Sequence, residues 1–138
     1  MTLIESEEKL RELVLLRGQR QRFLSATDEQ DILEIAITQL NVPVARAKGI
    51  ILATASSASI ETESELTRVV ESMILTLAGR SKIVSYSDFM LVVKYHSRVT
   101  DTATEVASVK AKALMNRLGI KPGRAGFLPS IRWFRSIR

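Results

Sequence analysis

The chain has no cysteine, which excludes disulfide frameworks, thiolate zinc sites, iron–sulfur clusters and cysteine nucleophiles. It has one histidine, His96, beside Tyr95. A lone base without a partnered nucleophile does not make a triad, so His96 is read as structural or surface-exposed. Neither of the glycine patterns that cradle phosphates, GxGxxG and GxxxxGK followed by Ser or Thr, occurs. Glu61, Glu63 and Glu65 alternate without the Asp, Asn and Gly of a calcium loop, and read more simply as negative charge near a helix start. No catalytic residue, metal site, cofactor or small-molecule substrate is expected, and the reading is of a protein that is not an enzyme. Apolar runs are short, such as Met90 to Val93, against the roughly 20 residues a membrane-crossing helix needs. Glu5, Glu7 and Glu8 directly follow Met1-Thr2-Leu3-Ile4, the wrong sign for a secretory leader. A cytoplasmic location is expected.

Acidic residues are missing from the last twenty positions. Of 20 lysines and arginines, Lys121, Arg124, Arg132, Arg135 and Arg138 lie there, while all 15 acids precede them. Residues 1–118 are thus formally neutral and the net charge of +5 belongs to the tail. Such asymmetry points to a localised contact and not to general attraction along the chain.

What is abundant is helix-start chemistry. In Ser/Thr-x-x-Glu/Gln the hydroxyl accepts from a first-turn amide and the later side chain reaches back to the cap. The pattern occurs at Thr2 with Glu5, Thr27 with Gln30, Thr62 with Glu65, and Thr102 with Glu105, with Ser85 and Asp88 a weaker relative. It predicts helices over about 3–24, 28–40, 43–55, 63–78, 86–97 and 102–118. Pro43 suits a first turn, and Gly79 and Gly119 suit left-handed caps. The expected fold is all-α, a single compact bundle of about six helices spanning 1–118.

The fourth helix has the clearest apolar stripe, Leu66, Val69, Val70, Met73 and Leu77, which predicts that Met73 lies in the core. The second, with Ile32, Leu33, Ile35, Ala36, Ile37 and Leu40, is apolar around most of its girth and is expected at the centre or at an interface. The fifth, with Phe89 to Val93, has the composition of a buried strand, and its Ser85 start favours a helix. In the first, early glutamates and late arginines match the helix dipole. Arg17, Arg20 and Arg22 read as a solvated face before a phosphate patch.

Residues 119–138 form a basic aromatic tail holding half of the glycines and two of the three prolines. Gly119, Gly123 and Gly126 read as a flexible connector. Beyond Pro129 a short amphipathic segment puts Ile131 and Phe134 on one stripe and Arg132, Arg135 and Arg138 on another. Three readings compete: the aromatics fold back on the body; they anchor a protein partner or a second copy; or the arginines meet nucleic acid or an anionic membrane surface. The candidate partner-binding residues are Phe127, Ile131, Arg132, Trp133, Phe134, Arg135 and Arg138. The expectation is a protein-interaction module or assembly subunit, with the anionic partner as the alternative.

The run Ile50 to Ile60 followed by Glu61 to Leu66, with Leu118-Gly119-Ile120-Lys121-Pro122 later, resembles the all-helical tellurite-resistance TerB-like domains. Those domains have an acidic Asp-Gly turn where this chain has Ser-Ser-Ala, so the resemblance does not carry over that family's metal site or a function, and no family is assigned from it.

Overall fold

The computed structural model describes residues 1–126 and 129–138. They are all-α: seven helices and four strands of two residues each occur among them. The order is α1 (Leu3–Gly18), β1 (Phe23–Leu24), α2 (Ala26–Thr38), α3 (Val44–Ser57), β2 (Glu61–Thr62), α4 (Glu63–Ala78), a 3-10 turn (Gly79–Ser81), β3 (Ile83–Val84), α5 (Tyr86–Thr100), α6 (Thr104–Leu118), β4 (Lys121–Pro122) and α7 (Arg132–Arg135). None of the described helices is long and apolar enough to cross a membrane.

The chain divides into two compact units, Met1–Glu65 and Leu66–Arg138, and the tail belongs to the second. Both follow one plan. In the first, Phe23 pairs in parallel with Glu61 and Leu24 with Thr62. In the second, Ile83 pairs with Lys121 and Val84 with Pro122, so every partner lies 60 positions further on. These short ladders satisfy loop amides that would otherwise be stranded beside the interior: Glu61 N–H donates to Arg22 O and Lys121 N–H to Lys82 O, each at 2.9 Å. The same spacing recurs in the caps, where Ser25 and Ser85 accept from the Asp28 and Asp88 amides at 3.1 and 3.2 Å. It recurs in the left-handed positions as well: Arg22 and Lys82 (φ 57° and 55°), Asn41 and Asp101 (55° and 53°), Ser59 and Gly119 (57° and 71°). Buried residues match too, including Leu10 with Val70, Val14 with Ile74, Leu24 with Val84, Ile32 with Val92, Ala47 with Ala107 and Ile60 with Ile120. The protein is an internal repeat of one helix–strand–helix–helix–strand module.

The core of the first unit joins Leu10 and Val14 of α1 to Leu24, Ile32 and Ala36, and to Ala47, Ile50, Ile51 and Ala55 of α3. Each large side chain removed from water contributes about 1.5–3 kcal/mol. Glu7 sits at the edge of this core, accepting from Arg46 Nε at 2.6 Å and from a terminal guanidinium nitrogen at 3.2 Å. The Arg46 hydrogen bonds hold the Glu7 carboxyl below its ordinary range, outweighing the upward push of its own desolvation.

Several elements differ from the sequence reading. Helix α1 stops at Gly18, well before 24, and Gly18 itself lies against Ile60, where a Cβ would stand 2.7 Å from the Ile60 side chain. Helix α2 is capped by Ser25 and not by Thr27. Helix α6 begins after Ala103 with no side-chain cap, while the Thr102 hydroxyl lies 2.7 Å from that of Thr100. Helix α2 buries Ile32 and Ala36 and leaves Ile37 38% exposed, so only one side of it is covered. Helix α4 spans 63–78 as expected, but its buried stripe is Leu66, Val70, Ile74 and Ala78. Val69, Met73 and Leu77 are half-buried beside it, so Met73 is not a core residue. The Phe89 to Val93 segment is helical, in α5.

Candidate functional site

The second unit's chemistry is set by its tail. Gly119 takes φ 71° and ends α6, after which β4 lies along β3. Gly123 follows directly, its N–H donating to Val84 O at 2.8 Å. A Cβ there would meet Ile83 and the Val84 carbonyl at 3.4 Å, an ordinary contact, so it is the hydrogen bond to Val84 that holds Gly123 in place and keeps it from acting as a loose connector. Ala125 and Ser130 then form an antiparallel bridge that returns the chain to α7.

Within α7 the apolar and cationic residues separate. The Trp133 indole N–H donates to Gly123 O at 2.9 Å, and its ring lies 5.2 Å from those of both Tyr86 and Phe89. Phe134 is buried against Phe89 at 6.1 Å. Lys112 Nζ on α6 stands 5.0 Å from the Phe134 ring and donates to Phe134 O and Ile137 O, each at 3.0 Å. Of the three readings of the tail, the aromatic contacts follow the first: these rings pack on their own unit. Ile131 is half-buried, and Phe127 lies outside the described residues.

Arg132, Arg135 and Arg138 are exposed. Because Trp133 fastens α7 to Gly123, the α7 backbone carrying Arg132 and Arg135 is held beside the segment carrying Lys121 and Arg124, and the β3–β4 pairing brings the Lys82 backbone beside Lys121. All five side chains are exposed. Tyr86, the first residue of α5, packs on Trp133 at this corner and is 46% exposed, with Asp88 two residues on as the nearby acid. Neither a protein family, nor a curated protein, nor a solved structure matches the chain.

The corner is the densest part of a wider asymmetry. Residues 1–65 hold 7 basic and 11 acidic residues, net −4, whereas 66–138 hold 13 basic and 4 acidic, net +9. Counting at residue 118 hides this, because Arg68, Arg80, Lys82, Lys94, Arg98, Lys110, Lys112 and Arg117 also belong to the second unit. Lys82 and Tyr86 are the members of the corner that the tail-centred reading missed; the matching Ser-x-x-Asp starts at Ser25 and Ser85 were the signal that aligns the two units and reveals them.

A second surface lies on α4, where Arg68, Val69, Ser72, Met73, Thr76, Leu77 and Leu91 line an open groove of about 390 Å³. His96 is buried at 4% exposure, with its carbonyl accepting from the Thr100 hydroxyl at 2.8 Å, inside α5 and away from solvent. Among the described residues no group of three His, Asp or Glu could hold a metal ion.

Proposed function

We propose that the protein is a non-enzymatic interaction module that holds an acidic or polyanionic partner through its second unit, in a cytoplasmic setting. The partition of charge, −4 against +9, carries this reading. Two copies of one module need not differ in charge to fold, so the difference reflects what each copy meets. A concentrated positive field raises the association rate and local concentration of an anionic partner, and releases condensed counterions where the partner is a polyelectrolyte. With Trp133 and Phe134 engaged inside their own unit, the exposed arginines remain as the tail's contact chemistry.

Retention on a heparin matrix tests this. The full chain should bind at low salt and elute as salt rises, and Arg132→Ala/Arg135→Ala/Arg138→Ala should elute distinctly earlier while melting at the same temperature. A wild-type protein that passes straight through would sink the reading.

The α4 groove favours a second reading, an apolar protein partner or self-association. Light scattering decides it: a mass above one chain that Leu91→Asp reduces to one chain would place the contact there, Leu91 being 56% exposed and dispensable to the core.

A further inference from the structure

We infer that the corner formed by β3, β4 and α7 is a site for single-stranded nucleic acid, with phosphates on Lys121, Arg124, Arg132 and Arg135 and a base against the Tyr86 ring. The inference rests on the polyanion reading and narrows it to one partner.

Positive charge by itself would suit any polyanion, and the discriminating feature is the ring. Tyr86 is 46% exposed, and Trp133 braces it edge-on, with ring planes at 76° and centroids 5.2 Å apart. Trp133 is in turn fixed by its hydrogen bond to Gly123. The ring therefore stands in position among cations before a ligand arrives, so stacking costs little further ordering. A braced aromatic among backbone-tracking cations is how proteins hold unpaired bases, since each base has a face to stack and a duplex keeps its faces covered. A lipid surface would use the same cations together with Ile83, 48% exposed beside Lys121, so vesicles are the arm of the test that separates the two partners.

The first unit is a control built into the same chain. At the positions of Tyr86 and Lys121 it has Ala26 and Glu61 on the same backbone plan, while the residue matching Arg124, Ser64, already lies in α4. The ladder forms with Glu61 in place of Lys121, so that cation is not needed by the fold, whereas Tyr86 also packs on Trp133 of α7, an element the first unit does not have.

The test measures anisotropy of a labelled oligothymidylate with the full chain, alongside a duplex of equal length, heparin and phosphatidylserine vesicles, with Trp133 emission as a local reporter. The single strand should bind more tightly than the duplex and perturb Trp133. Tyr86→Ala should weaken the oligonucleotide about tenfold while leaving heparin unchanged, as loss of one stacked base predicts. Lys121→Ser/Arg124→Ser should weaken both and reduce the slope of log K against log salt by about 1.4. Heparin binding without oligonucleotide binding, or duplex binding as tight as single strand, would overturn the inference and leave the polyanion reading standing, whereas vesicle binding without heparin binding would overturn both. Failure of every anion to bind would overturn both.

Discussion

At residue scale the pair of Glu7 and Arg46 makes a prediction about acid. The Glu7 carboxyl titrates below its ordinary range when folded, so its contribution is complete above the unfolded value, about pH 4.3. It is lost as pH falls through the folded value. Thermal melts at pH 7 and pH 3 should show a smaller acid-induced drop for Glu7→Gln than for the wild type. An equal drop would mean that other carboxylates govern acid stability. The pair was not legible in the sequence, since its members are 39 residues apart and the early glutamates of α1 read equally well as dipole charges. Positions within reach of the backbone were legible: Thr2 and Glu5 form the expected reciprocal cap, whereas Thr27 and Thr102 match the same pattern and lose to neighbours. A four-residue pattern fixes hydrogen-bonding capacity. Where the chain enters a helix is settled by the short ladders, and these involve residues far apart in sequence.

For single elements, α4 shows how far periodicity reaches. Its ends follow the sequence, but the stripe Leu66, Val70, Ile74 and Ala78 is rotated by about one residue from the one centred on Met73. Seven apolar side chains on one helix leave two adjacent rows to choose from, and tertiary packing chooses. Ile74→Asp should therefore be among the most damaging substitutions, on the order of 4 kcal/mol or more, since it buries an unpaired charge. Met73→Asp, at the groove, should cost about 1 kcal/mol. Urea titrations of the two variants check this, and equal losses would refute the orientation. The four-residue α7 is too short to be stable alone and is held by Trp133, Phe134 and Lys112. Trp133→Ala should lower stability by about 2–3 kcal/mol, whereas alanine at Arg132, Arg135 and Arg138 should change it by less than about 0.5 kcal/mol each. The same titrations decide between them.

For the molecule as a whole, the 60-residue repeat was present in the sequence only as scattered matches: Thr2 with Thr62, Glu5 with Glu65, Ser25 with Ser85, Asp28 with Asp88, Ala47 with Ala107 and Ile60 with Ile120. Most are caps, turns or tight packing points, where geometry admits few residues. Exposed positions are free to diverge, and they diverged in charge: Glu34 stands where the second unit has Lys94, and Thr38 where it has Arg98. Exchanging the second unit's residues for the first's, Lys94→Glu/Arg98→Thr, should leave the melting temperature within about 2 °C. It should also shift elution from heparin to lower salt. Unchanged elution would confine the binding charge to the corner.

The two interiors differ by a compensated change. Ile51 and Ala55 on α3 correspond to Ala111 and Met115 on α6, all buried, so one module places the large side chain a turn earlier than the other. Ile51→Ala alone leaves a hole worth about 2–4 kcal/mol, and Ala55→Met alone overfills by about 1–3 kcal/mol. Made together they fill one another's space, and the double variant should be more stable than the sum of the single losses implies. Either step taken alone weakens the module, so the two positions act as one packing unit whose identity is fixed jointly, a turn apart on the same helix.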